Sequence, residues 1–331
     1  MSGQVLETAL TRHAGVEVPL ICGAMYPCSN PELVAAVSGA GGLGIVQPIS
    51  MIYVHGHDLR EGLRLIRSLT PKPIGFNAIV EKSVKAYERR MRGWVDVALE
   101  EGVRFFVTAL GNPRWVVEAV HAAGGVVYHD VTELRWAEKA LAEGVDGLIC
   151  VNERAGGHAG THSPAELFEE LAGLGVPLVR AGGVGGPADF VEALSTGYAG
   201  VQMGTRFIAT PECKVHDTYR DAICEADEDD IVLTERLSGV PVSVIRTPAL
   251  ERLGTGVGPL ARRLLRGRKT RHWMRTWYAL RSLRNLKRSS LKGLSYDDVY
   301  QAGRSVEAIH EVLPAAEIVR RFAAAATEAR R

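Results

Sequence analysis

Cysteine is scarce in this 331-residue chain. There are five thiols, Cys22, Cys28, Cys150, Cys213 and Cys224, odd in number and with no CxxC pair. That excludes a disulfide framework and a zinc ribbon, and it points to a reducing compartment. Net charge is nearly absent, with 39 Lys and Arg against 38 Asp and Glu, so no global field draws in nucleic acid. No apolar run reaches the length of a membrane span. The first residues, with Glu7, Arg12 and His13, hold no signal-peptide core. The expected location is the cytoplasm. Acidic residues are missing altogether from 252–296, which holds thirteen Lys or Arg.

Against these absences stands an ordinary globular composition, 46% apolar and 23% charged, long enough to bury a large core. Short apolar runs alternate with helical patterns along the first two thirds of the chain. Strands are expected at 18–23, 43–46, 73–79, 103–110, 125–128, 147–151, 176–181 and 199–203. Eight strands with helices between them over about 220 residues match a (β/α)8 TIM barrel better than an open doubly wound sheet. Residues 39–44, GAGGLG, fit a GxGxxG pattern, but they follow a helix and precede a strand. A dinucleotide fingerprint needs the reverse order, so these glycines read as a tight turn with close helix–sheet packing.

The stretch 177–211 organises the rest. Strand seven ends in Gly182-Gly183 and strand eight in Gly204-Thr205, after Gln202-Met203. Two glycine-bearing turns beside each other can bring backbone N–H groups onto a phosphate, as the loops after strands 7 and 8 do in such barrels. Other strand ends and the loops after them present Met25, Gln47, Asn77 and His129. The loop after strand six reads Arg154-Ala155-Gly156-Gly157-His158. An imidazole on that glycine-flanked backbone can exchange a proton near neutral pH. His129 reads as a histidine hydrogen-bonded in the barrel rim. His158 and His162 have no nearby carboxylate ligand, so no metal site is expected.

Beyond residue 240 the pattern changes. Trp273, Met274, Trp277, Leu280 and Leu283 interleave with the basic residues of 252–296, the signature of a basic amphipathic helix or helical pair. The division expected is a barrel over 1–240 and a helical extension packed on it over 241–331. The basic segment offers a surface for an anionic partner. A homodimer is compatible with this reading.

The segments CGAM (22–25), SNPELVAAVSGAGGLGIV (29–46), GFN (75–77), AGGHAG (155–160), RAGGVGG (180–186) and VQMGTRFIATPE (201–212) resemble the nitronate monooxygenase family, also called 2-nitropropane dioxygenases. These are FMN-dependent TIM-barrel enzymes related to flavin-type enoyl-ACP reductases and NADH:quinone reductases. The resemblance implies that Met25 and Asn77 meet the flavin ring, and that Gly156 and Gly157 let their loop approach it. It implies that Gly182, Gly183, Gln202, Met203, Gly204 and Thr205 hold the phosphate, and that His158 is the catalytic base or orienting group. The implied reaction is oxidation of alkyl nitronates by O2 to carbonyl compounds and nitrite. Two alternatives stay open: an NAD(P)H-dependent FMN reductase of enoyl thioesters or quinones, and a non-catalytic flavin- or partner-binding barrel. The chain departs from the family pattern at Val151, Asn152 and Arg154, where Arg154 is expected to make the pocket mouth more basic.

Overall fold

Each of the eight apolar runs forms a strand, and together they close a parallel barrel in chain order. The computed structural model describes residues 6–81, 85–235, 241–254, 287, 288, 291 and 300–331. The expected basic helix over 252–296 therefore lies almost wholly outside the described residues. The strands are β1 Leu20–Cys22, β2 Leu43–Val46, β3 Ile74–Val80, β4 Phe105–Leu110, β5 Val126–Val131, β6 Gly147–Val151, β7 Leu178–Ala181 and β8 Gly200–Met203. Closure is the β1–β8 pairing, with Ile21 opposite Gln202.

Alternate residues of a strand face opposite sides, and here the two sides are two apolar layers. Ile21, Ile45, Val107, Tyr128, Ile149 and Val179 fill the barrel interior. Their neighbours Phe76, Phe106, Val127, Leu148 and Val201 pack beneath the helices. Each such side chain, fully buried, stabilises the fold by about 1.5–3 kcal/mol relative to exposure.

The interior is plugged at its lower end by α1, Ala9–Ala14. Leu10 enters the barrel so closely that a Cβ on Gly200 would lie 2.5 Å from its Cδ2. His13 Nδ1 lies 3.1 Å from the Tyr128 hydroxyl. The sequence reading had no element here, although Thr8 and Thr11 cap each other reciprocally and Gly15 closes the helix in the left-handed region.

The outer helices are α2 Pro31–Gly39, α3 Leu59–Leu69, α4 Lys85–Glu100, α5 Arg114–Ala122, α6 Leu134–Leu141, α7 Pro164–Leu171 and α8 Pro187–Thr196. The glycines of 39–44 do make a close helix–strand contact: a Cβ on Gly44 would fall 2.3 Å from the Val34 carbonyl. After β8 come the short helix α9, Thr205–Ile208, then α10, Asp217–Glu225. An antiparallel hairpin follows, β9 Ile231–Thr234 with β10 Val242–Ile245. The boundary expected at residue 240 lies outside the described residues. The C-terminal helix, Ala315–Ala329, packs between α8 and α2. Phe322 meets Phe190 with ring centroids 5.5 Å apart. This helix takes the eighth position around the barrel.

Candidate active site

The mouth of the barrel is polar where the interior below it is apolar. Asn77 lies two residues beyond Gly75, where a Cβ would touch Ile45 and Phe105 of the interior. Asn77 is buried and its Nδ2 donates to the Val107 carbonyl at 3.3 Å. Gln202 follows Gly200 by two, and its side chain lies against the Cβ position of Gly23 at 3.0 Å. Asp130 follows the inward Tyr128 by two and pairs in register with the inward Ile149. Two atoms of this layer are buried without a hydrogen-bond partner: Gln202 Oε1 and Asp130 Oδ1. Such orphans cost free energy unless a bound group meets them.

Burial pushes the Asp130 carboxyl up to about 7. A free aspartate ionises near 3.9, so the folded state holds its proton longer. The resulting stabilisation is fully present below about pH 4 and is lost as pH climbs towards about 7.

The turns after β7 and β8 stand side by side, because Ala181 pairs with Gln202. Gly182 and Gly183 have φ of 111° and 70°, a region costly for any side chain. The buried Arg180 holds this turn from behind, its Nε donating to Gly182 O at 3.3 Å and its Nη2 to Gly183 O at 3.4 Å. Glu192 pairs with the same guanidinium. Asn152 Nδ2 also donates to Gly182 O, at 3.0 Å. With the carbonyls so engaged, the N–H groups of Gly183 and Val184 donate to no protein group among the described residues. The N–H groups of Gly204 and Thr205 are in the same condition. These four donors can hold a phosphate. The start of α8 does not add to them, because Asp189 Oδ2 already accepts from Gly185 N and Gly186 N, both at 2.9 Å.

Met25 is half-buried, and its sulfur would lie 3.4 Å from a Cβ on Gly204. Met203 buries its side chain in the helix-facing layer, so only its backbone faces the site. The mouth thus gathers Met25, Asn77, Gln202 and the two glycine turns.

The loop after β6 closes the other side. Asn152 is fully buried and accepts from Arg154 N at 2.9 Å while it donates to Gly182 O. Truncation leaves these backbone groups unpaired, and Asn152→Ala is expected to destabilise the fold by about 1–3 kcal/mol in urea titration. Arg154, expected to make the mouth more basic, reaches the turn after β7, where a Cβ on Gly183 would lie 2.9 Å from its Nε. Its guanidinium is paired with Glu228 at 2.6 Å. Gly156 lies against the C-terminal segment, where a Cβ would meet Gly303 N at 2.9 Å; one on Gly303 would meet Gly156 N at 2.5 Å. Gly303 N in turn donates to Thr205 Oγ1 at 3.1 Å. Gly157 O accepts from Ser243 N at 2.8 Å, on β10. The loop is pinned from three directions, and His158 stands exposed at its tip. Desolvation by the surrounding protein lowers its pKa from the ordinary 6.5, so the imidazole is neutral and able to accept a proton at pH 7.

The remaining candidates are structural. Thr108 Oγ1 donates to the Tyr128 carbonyl at 3.2 Å, so it accepts from His129 Nδ1, 2.8 Å away. His129 is buried, and burial pushes its pKa down to about 4. His162 Nδ1 lies 3.3 Å from the Thr132 carbonyl. Burial raises the thiols of Cys22, Cys150 and Cys224, and that of Cys28 rises through its hydrogen bond with Cys213 and burial. They are no better as nucleophiles than packing residues. Among the described residues no group of three or more His, Cys, Asp or Glu side chains can hold a metal ion. No described helix is long and apolar enough to cross a membrane.

Residues 7–324 match the family model for nitronate monooxygenase. The chain belongs to that family. Within and around the nitronate monooxygenase family the relatives carry different names. The chain is 32% identical over 255 residues to (3aS,4S,5R,7aS)-5-hydroxy-7a-methyl-1-oxo-octahydro-1H-indene-4-carboxyl-CoA dehydrogenase of Mycobacterium tuberculosis, covering 76% of this chain and 69% of the relative. It is 30% identical over 274 residues to nitronate monooxygenase of Pseudomonas aeruginosa, covering 69% and 77%. Among solved structures it is similar to FabK from Thermotoga maritima, with a TM-score of 0.81 at 27% identity over 98% of this chain and 97% of that one. The family fixes an oxidoreductase and leaves its substrate open.

The sequence reading passed over Asp130 as a site residue, and over Arg180, Asn152 and Gly303 as supports. Asp130 had a signal in the alternation Val126, Tyr128, Asp130. Gly303 and Asn152 had none, because their role is contact with backbone far away in the chain.

Proposed function

We propose that this chain is an FMN-dependent oxidoreductase that oxidises alkyl nitronates to carbonyl compounds and nitrite with O2. The observation that carries the reading is the pair of glycine turns with four unengaged N–H groups, beside a mouth whose Gln202 Oε1 and Asp130 Oδ1 are buried and unpartnered. A mononucleotide with a polar ring and an anionic tail fits that combination. Gly183, Val184, Gly204 and Thr205 would take the phosphate, with Gly182 setting the turn. Met25, Asn77 and Gln202 would line the ring region, Met203 would offer only its backbone, and Gly156 and Gly157 would let the loop come close. Bound there, FMN would supply the acceptor for two electrons. His158 would take the proton from the α-carbon of a neutral nitroalkane, or steady the anionic nitronate when protonated.

A second reading rests on the 32% identity to a CoA-thioester dehydrogenase. The substrate would then be an acyl-CoA, or an enoyl thioester reduced with NADH or NADPH. Anaerobic mixing of the FMN-loaded protein separates the readings. Bleaching of the flavin by propane-2-nitronate supports the first. Bleaching by NADH or NADPH, with reoxidation by crotonyl-CoA, supports the second and removes the first. A flavin that none of these reduces returns the chain to a binding role.

A further inference from the structure

Asp130 is the group of the mouth that the chemistry above leaves unused. We propose that Asp130 contacts the cofactor and donates a hydrogen bond to it across the barrel mouth. The inference rests on the flavin reading and deepens it.

Three observations on the chain itself carry it. The side chain is on the inward register of β5, above Tyr128 and level with Ile149, so it faces the space between the strand ends rather than the helices. Its Oδ1 is buried and meets no protein donor or acceptor. The polar side chains nearest in chain, His129 and Thr108, are turned the other way and satisfy each other at 2.8 Å. Asp130 is half-buried as a whole, but a buried carboxyl oxygen with no partner is retained at a cost unless a ligand completes it.

The same environment sets its protonation. Burial alone raises it to about 7; no lysine, arginine or second carboxylate contributes to the shift. The Cys150 thiol on the neighbouring β6 is held neutral by burial, with a smaller upward push from Asp130. The carboxyl therefore carries its proton over much of the pH range below neutrality and can donate it in a hydrogen bond. Gln202 Oε1, on β8 three strands around the barrel, is an unmet acceptor. A ring that both accepts and donates at separate edges would satisfy the two. The flavin ring, with carbonyl oxygens, ring nitrogens and an N–H, has that chemistry.

The test is FMN binding to the apoprotein followed by flavin fluorescence from pH 5 to pH 9. The wild type is expected to bind more weakly as pH rises through about 7, where the carboxyl ionises and loses its donor. Asp130→Asn keeps a donor that does not titrate, so its affinity should match the wild type at low pH and lose that dependence. Asp130→Ala should bind about three- to tenfold more weakly at low pH, the loss of one neutral hydrogen bond. An infrared carboxylic-acid band in the wild type that shifts when FMN is added would support the contact without any variant. Binding by Asp130→Asn that titrates as the wild type does, or an infrared band indifferent to FMN, overturns the proposal and leaves the flavin reading standing. A wild type that binds no FMN at any pH overturns both.

Discussion

Gly182→Val should bind FMN at least about a hundredfold more weakly than the wild type, equivalent to about 2.7 kcal/mol. Two causes act together. The residue has φ of 111°, a conformation that costs a side chain roughly 1–3 kcal/mol. A Cβ there would also lie 2.5 Å from Asn152 Oδ1 and 2.6 Å from Ala155 N. Neither neighbour can move freely, because Asn152 is buried and hydrogen-bonded on both of its polar atoms. The turn must therefore shift, and the N–H groups of Gly183 and Val184 shift with it. Gly173→Ala is the control: its Cβ would meet nothing within 4 Å, and it should bind as the wild type does. Equilibrium dialysis against FMN measures both. Undiminished affinity in Gly182→Val would place the phosphate elsewhere.

The second large effect belongs to His158. Its replacement by alanine should retain FMN and reduce turnover of a neutral nitroalkane by about 10²–10⁴-fold, the usual contribution of a positioned general base. Preformed nitronate needs no deprotonation, so its oxidation should fall much less. The pH profile gives the sign. A lowered folded-state pKa keeps the imidazole in its base form below 6.5, so the acidic limb of the wild-type profile should lie below that value. Rate is lost as pH falls through the limb, when the base becomes protonated. Stopped-flow reduction with nitroethane checks the prediction, and wild-type rates in His158→Ala would remove this residue from the chemistry.

The barrel was legible because its signals are local. Each strand is an apolar run ended by glycine or a polar rim residue, and each helix shows a period that the strands lack. The turns at Gly182-Gly183 and Gly204-Thr205 could be read for the same reason. Helix α7 shows where such reading slips. Its apolar pattern starts at Leu167, yet it begins at Pro164 behind a reciprocal cap between Ser163 and Glu166. The cap was in the sequence as S-P-A-E, and the apolar pattern simply starts later than the hydrogen bonds do. The hairpin of β9 and β10 was missed because its strands are short and its meaning is non-local. Ser243 pairs with Gly157, and Val244 with Gln301. The pairing of Arg154 with Glu228 was not legible, because the two are separated by 74 positions and by the whole of β7 and β8.

Those same bridges join parts of the chain that are far apart in sequence. β10 ends beside the strand-like contact at Gln301, and Ile245 N donates to Tyr300 O at 2.8 Å. The chain therefore departs and re-enters at one seam. Closing a long stretch of chain between two stitched points costs little more than closing a short one, about 0.6 kcal/mol for each doubling of length. The hairpin thereby clamps two distant parts of the chain at once, the histidine loop through Gly157 and the C-terminal segment through Gln301.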